Sequence, residues 1–270
     1  LRKEGLLKNF FGQSVMHVSW QWRVERWKRR LKGFFRSPSS ATGEGFSVTK
    51  AIIFINLVLF TLMTLHGTIL GLGMTSILSP PTNLLAFWGA QFWPLVLHQG
   101  EWWRCITYAF THGGIIHIGF NMVVLYQVGP LIESQIGKSP YIFLYTLTAL
   151  TATFLGYLWH PMTPVVGASG SLFGLIGFAV AYYHRMGTPG LHLRNFMFQW
   201  AIYAFLFGLL VGADNAGHLG GALGGAALGL VLPMGLRGRK TAAPLFNILA
   251  AVSVATILGS LAMLAASWFA

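Results

Sequence analysis

From about residue 49 to residue 268 the chain is a succession of apolar runs separated by short polar joints. Seven of these runs are long enough for an α-helix to cross the hydrocarbon core of a bilayer. They predict helices over about 49–73, 114–133, 140–160, 169–185, 195–212, 216–236 and 244–268. The connection 74–103 is too long for a turn and unusually apolar, with Pro80, Pro81, Phe87, Trp88, Phe92, Trp93, Pro94, Trp102 and Trp103. Aromatic residues at that density suit the headgroup region. Irregular backbone at that depth must bury its polar groups against protein, so a loop lodged beside the bundle is expected.

The pattern changes before residue 48. Residues 1–47 are a basic, Trp-containing segment, and 37–45 (SPSSATGEG) reads as a linker. The stretch 14–35 sets Val18, Trp20, Trp22, Val24 and Trp27 among Arg and Lys. It fits an amphipathic helix on a membrane surface, and equally a small soluble cap or a disordered tail. The expected organisation is therefore this segment, a helical core over 48–236, and a basic linker with a last membrane helix over 237–270.

Composition agrees with an all-α membrane protein: 54% of residues are hydrophobic and 9% charged, with a mean hydropathy of +0.62. The 33 glycines lie within the apolar runs as well as between them, which suits helices in close approach. A net charge of +12 invites a nucleic-acid reading, but 11 of the 18 Lys and Arg residues precede residue 51. Basic residues ahead of a membrane helix are a topology signal or an anionic-lipid contact, so no nucleic-acid partner is expected. The remaining basic joints hold Lys138, Arg185, Arg194, Arg237, Arg239 and Lys240, while the alternate set holds only Arg104. The positive-inside rule then places the N-terminus in the cytoplasm and the C-terminus outside. No apolar stretch in the first 50 residues ends in a small-residue cleavage site, so the first helix is expected to be retained. The single Cys105 excludes an intrachain disulfide and a cysteine-only metal site.

In so apolar a chain the polar residues inside helices are the informative ones, because each is costly in lipid unless partnered or functional. His117 and Asn121 lie four apart on one face of the second helix. Ser169 opens the fourth helix within Gly167-Ala168-Ser169-Gly170, and His218 lies about a turn into the sixth. These three helices run in the same direction. At about 1.5 Å per residue the four side chains fall within roughly 0–12 Å of one boundary. A serine hydroxyl becomes a useful nucleophile when an imidazole accepts its proton. A helix start adds free N–H groups that favour developing negative charge. His117, Asn121 and the Ser169 N–H are candidate oxyanion donors.

Each element of this set has a plainer reading. Gly-x-Ser-Gly is a common packing motif, and a membrane histidine or asparagine can simply join helices. Ser171 is a rival nucleophile, although two residues turn it about 200° away from Ser169. Asp214 precedes His218 by four, and either completes a triad or, with Asn215 as the other candidate, caps the sixth helix; capping is the preferred reading. A His112–His117 metal site would lack carboxylate or further cysteine ligands beyond Cys105, so no metal is expected.

Several motifs together resemble the rhomboid intramembrane proteases. Trp103-Arg104 resembles the Trp-Arg motif of that family's membrane-embedded first loop. His112 through His117 to Asn121 resembles its His-x4-His-x3-Asn stretch, and Gly167-Ala168-Ser169-Gly170 its nucleophile motif. Residues 213–225 resemble its last catalytic helix, where the base histidine is followed by small residues at every fourth position, here Gly221, Gly225 and Gly229. Glycines so spaced also permit close packing of helix six on helix four. The resemblance implies a six-helix core with a seventh helix packed peripherally. It implies a Ser169–His218 dyad without an aspartate, and oxyanion contacts from His117 and Asn121. Arg104 would order the first loop and His112 would support the same region. Phe173 stands where the family often has a tyrosine under the base histidine, and can still stack there. The implied activity is hydrolysis of a peptide bond in or near a transmembrane segment of another membrane protein, without metal or organic cofactor. The rival within the same fold is a pseudoprotease that binds or escorts membrane clients; outside it, a small transporter with a polar centre, which would place a charged or inverted-repeat site at mid-membrane, whereas the polar residues here lie off-centre toward one face. The expected location is a bacterial inner membrane.

Overall fold

The structure, a computed structural model, describes residues 46–269. The surface helix considered at 14–35 and the linker at 37–45 lie outside the described residues. The order of elements is α1 (Val48–Ile69), four short helices α2 (Thr75–Leu78), α3 (Thr82–Phe87), α4 (Trp93–His98) and α5 (Arg104–Thr107), then α6 (Ile115–Ile136), α7 (Lys138–Trp159), α8 (Ser169–Arg185), α9 (Leu191–Val211), α10 (Asn215–Val231) and α11 (Leu236–Ser267). Single 3-10 turns at Tyr108–Phe110 and Thr188–Gly190 complete the order. Among the described residues the only extended pairing is a bridge between Gln91 and Val165.

The seven apolar runs fall on the long helices α1 and α6 to α11. Five of the long helices, α1, α6, α7, α11 and the segment Thr188–Leu210, are long and apolar enough to cross a membrane. The protein is a multi-pass membrane protein. Helices α8 and α10 have 17 residues each, or about 25 Å at 1.5 Å per residue, and form the centre of the bundle.

Local chemistry sets the boundaries. The N-terminus of α1 is capped twice: Ser47 accepts from Lys50 N, and the Glu133 carboxylate reaches from α6 to accept from Val48 N, Thr49 N, Thr49 Oγ1 and Ser47 Oγ. The buried carboxylate thus satisfies donors that a helix start leaves without intrahelical partners. Gly137, at φ +88°, is the whole joint between α6 and α7, a backbone state that side chains disfavour. Helix α10 stops at Val231, short of the expected residue 236. Leu232 precedes Pro233 and is extended (φ −60°, ψ 129°), as the residue before a proline prefers. Helix α11 starts at Leu236 rather than near Pro244, and carries Pro244 inside. That proline interrupts the backbone ladder there without marking the start.

Helix α10 packs most extensively on α8 and next on α7. A Cβ added to Gly221, Gly225 or Gly229 would lie 2.0, 1.9 or 2.5 Å from the carbonyl oxygens of Gly170, Gly174 and Phe178, so this stripe sets α10 directly on the α8 backbone. A second stripe went unread in the sequence. Gly220 and Gly224 face α7, where an added Cβ would lie 2.5 Å from Thr151 O and 2.3 Å from Thr151 Oγ1. The doublets Gly220-Gly221 and Gly224-Gly225 are the signal that α10 is pressed between two helices.

The connection between α1 and α6 is a folded unit held against the bundle. Arg104 fastens it by hydrogen bonds from Nη1 to Ala86 O and Ala90 O (2.6 and 2.9 Å) and an ion pair with Glu101. Thr107 Oγ1 donates to Gly89 O and Thr111 Oγ1 to Trp88 O. Trp88 Nε1 donates to His66 Nδ1 on α1 (3.1 Å). Trp103 is buried, edge-on to Trp102. The last helix closes this wall from outside. It lies along α7, and Trp268 stacks on Phe87 (5.6 Å, 6°), touches Trp88 and donates from Nε1 to Phe87 O at 2.8 Å.

Candidate functional site

The polar residues of α6, α8 and α10 meet at one end of the bundle. Ser169 is the first residue of α8, and His218 lies one turn into α10. With α10 held to α8 by the glycine stripe, His218 Nε2 lies 2.8 Å from Ser169 Oγ. Phe173, one turn below Ser169 on α8, stacks on the imidazole with centroids 4.3 Å apart and planes 17° apart. The ring is thus held at one nitrogen by the serine and on one face by the phenyl. His218 Nδ1 is buried without a partner among the described residues. When Nε2 accepts the serine proton, the ring hydrogen of the neutral tautomer sits on that unpartnered nitrogen.

Asp214 makes no hydrogen bond to the His218 ring among the described residues. Its Oδ1 accepts from Gly217 N (2.7 Å), which caps α10, and pairs with His160 Nε2 (2.8 Å) beyond the end of α7. This is the N-cap geometry, and Asn215 is the first helical residue. His160 was not singled out in the sequence. It lies where α7 ends, and its place at the depth of Asp214 follows once α7 and α10 are neighbours.

Ser171 Oγ points to the other side of α8 and donates to Tyr145 O on α7 (3.0 Å). Ser171 is fully buried.

His112, His117 and Asn121 wrap the segment that leads into Ser169. His112 Nε2 accepts from Ala168 N, and His117 Nδ1 from Gly113 N, both at 3.4 Å. The two rings stand edge to face, 5.2 Å apart. Gly167 has φ +115°, and a Cβ there would lie 2.7 Å from His117 Cε1 and Nε2. Glycine is therefore required twice at 167, for its backbone state and for the ring beside it. Since His117 Nδ1 accepts, its proton belongs on Nε2, the side that faces Gly167. Asn121 is 2% exposed, and its Nδ2 has no partner among the described residues. That amide lies 3.6 Å from the Cβ position of Gly167. A buried donor without an acceptor is costly, and beside a serine at a helix start it is suited to an anion that forms only during reaction. Gly170 is held by close packing: a Cβ there would lie 2.6 Å from Ala152 Cβ.

Two small cavities meet at the Ser169–His218 pair. One runs past Gln91, Tyr108, Thr153 and Asp214. The other runs past His117, Asn121 and Phe173 to the apolar ring pair Phe120–Phe207, stacked at 4.0 Å between α6 and α9. Neither Tyr108 nor the Phe120–Phe207 pair was marked by the sequence. Tyr108 Oη donates to Ala149 O, and Tyr108 O accepts from Gly167 N, so this residue ties the loop to both α7 and the serine segment.

A family model described as Rhomboid domain matches residues 99–235. Among curated proteins the chain is 32% identical over 190 residues to the Rhomboid protease GluP of Bacillus subtilis, covering 67% of this chain and 35% of that protein. It is 32% identical over 173 residues to RHOMBOID-like protein 6, mitochondrial, of Arabidopsis thaliana, covering 58% and 52%. It is 32% identical over 161 residues to Rhomboid-like protease 1 of Toxoplasma gondii, covering 57% and 55%. The alignments thus span from about a third to little more than half of the length of these relatives.

Proposed function

Because the chain belongs to the rhomboid family, we propose that it is an intramembrane serine endopeptidase acting through Ser169 and His218 on transmembrane segments of other membrane proteins. The observation that carries this reading is the 2.8 Å contact between Ser169 Oγ and His218 Nε2 beside the unpartnered Asn121 amide. Relatives named as rhomboid proteases support it.

The geometry supports the following steps. His218 takes the hydroxyl proton as Ser169 Oγ attacks the scissile carbonyl carbon. The carbonyl oxygen becomes an anion next to the first-turn N–H groups of α8, Asn121 Nδ2 and His117 Nε2, and these donors stabilise it. Collapse expels the amine, which receives the proton from His218 and leaves Ser169 acylated. A water molecule, deprotonated by His218, then releases the acid and restores the serine. Phe173 and the glycine contacts hold the imidazole in place. His112, Gly167 and Gly170 shape the serine segment, and Trp103 and Arg104 keep the first loop against it.

All seven long helices cross the bilayer in this proposal, with the basic joints and the N-terminus in the cytoplasm and the serine near the opposite face. The catalytic core is 48–236, and α11 is an addition to it.

The test is cleavage of a single-span model substrate in proteoliposomes by the wild type, Ser169→Ala and His218→Ala, with fluorophosphonate labelling in parallel. Cleavage and labelling should be lost in both variants. Full activity in either variant refutes the mechanism. Client binding by a wild type that neither cleaves nor labels would point to the escort reading instead.

A further inference from the structure

A cavity of about 310 Å³ opens at the end of the bundle opposite Ser169. Its position follows from the course of the helices: α10 begins beside the serine and ends at Val231, and the cavity wall includes the next residue, Leu232. The proposed protease chemistry makes no use of it.

The lining carries positive charge. Lys138, Arg239 and Lys240 line it, and no acidic side chain does so among the described residues. Arg239 is held in place by neutral acceptors, from Nη1 to Gln135 O (2.7 Å) and from Nη2 to Tyr182 Oη (2.6 Å), while its Nε is buried without a partner. Its charge is thus fixed at the wall and not cancelled by a carboxylate. Lys240 is exposed and makes no ion pair with a described residue. The one described carboxylate at this end, Glu133, is occupied by the N-terminus of α1. Two long helices also begin at the wall, α7 at Lys138 and α11 at Leu236, and their first-turn N–H groups add positive potential.

The lining is also apolar in part, with Leu232, Leu236 and Phe246. Beyond it, Leu236, Leu245 and Ile248 of α11 are exposed on a helix apolar enough to lie in hydrocarbon. A free inorganic anion would gain nothing from these apolar residues. An amphiphile with a phosphate head and acyl chains matches both.

We propose that this cavity binds the headgroup of an anionic phospholipid, with the phosphate at Arg239 and Lys240 and the chains along α11. The arrangement is a basic pocket between membrane helices, in which each Lys or Arg near the surface strengthens binding about fivefold.

The test uses the full chain in nanodiscs of equal parts phosphatidylglycerol and phosphatidylcholine, with retained lipids identified by native mass spectrometry. The wild type should retain phosphatidylglycerol in preference. Lys240→Gln should weaken the preference about fivefold, and Arg239→Gln at least as much. Arg194→Gln removes a half-buried charge outside the cavity and should leave the preference unchanged. Lys240 is exposed, so its variant keeps the test valid even if Arg239→Gln fails to fold. No preference in the wild type, or an equal loss in Arg194→Gln, overturns the proposal. A second arm adds inorganic phosphate. If phosphate displaces the lipid and binds equally well in discs of phosphatidylcholine alone, the site takes free phosphate and the lipid assignment falls. The readout is bound lipid, so its failure is distinct from failure of the protease mechanism.

Discussion

Replacing Gly221 with alanine tests whether helix contact sets the active geometry. The new Cβ would lie 2.0 Å from Gly170 O and 2.9 Å from Gly170 C. A carbon approaches a carbonyl oxygen comfortably at about 3.3 Å, so α8 and α10 must separate locally by about 1.3 Å. The obstructing atoms are backbone, and no side-chain rotation can relieve them. Gly221 is three residues after His218, and Gly170 adjoins Ser169. The separation therefore falls on the 2.8 Å contact and stretches it to about 4 Å, past hydrogen-bonding range. Misplacement by about 1 Å can cost about a hundredfold in rate. Overpacking of this kind costs about 1–3 kcal/mol in stability. The assay is the second-order rate of fluorophosphonate labelling at Ser169, measured with thermal melting in the same detergent at a temperature where the variant remains folded. Gly259→Ala is the control, since among the described residues nothing lies within 4 Å of its added Cβ. Gly221→Ala labelling at the wild-type rate would refute the reasoning.

Three further predictions follow from the same contacts. Asp214→Asn should keep the cap and most of the cleavage rate, whereas Asp214→Ala should lose about 1 kcal/mol of stability in thermal melting; loss of cleavage in Asp214→Asn with unchanged melting would restore the aspartate to a triad. Ser171→Ala should leave labelling intact and lower stability by about 1 kcal/mol, the net worth of its hydrogen bond to Tyr145 O; loss of labelling would make Ser171 a nucleophile candidate again. Arg104→Lys should speed limited proteolysis between residues 74 and 103, because one ammonium cannot reproduce the fork that reaches Ala86 O, Ala90 O and Glu101; unchanged proteolysis would deny Arg104 its fastening role.

The sequence was most legible where a physical period runs long. The seven apolar runs correspond to α1 and α6 to α11, and Ser169 starts α8 at the expected residue. Ser169, His218, His117 and Asn121 could be grouped because each is polar, near a helix start, and in a helix of the same direction. Short elements escaped. Helices α2 to α5 have four to six residues each, under two turns, so no apolar period can form in them. The last apolar run begins near Pro244, whereas α11 begins eight residues earlier at the polar joint, where the basic residues mask the helix start. His160 and Tyr108 were hidden for another reason. Their partners, Asp214 and the backbone of Ala149 and Gly167, are distant in sequence and become neighbours only through tertiary packing.

The contact between Trp268 and Phe87 joins residues 181 positions apart. During synthesis, Phe87 and Trp88 are made long before the helix that covers them. Until α11 arrives, those rings have His66 of α1 beside them but not the indole that later covers them. The order of assembly therefore runs against the order of the chain: the part of the loop made early is enclosed by a helix made much later.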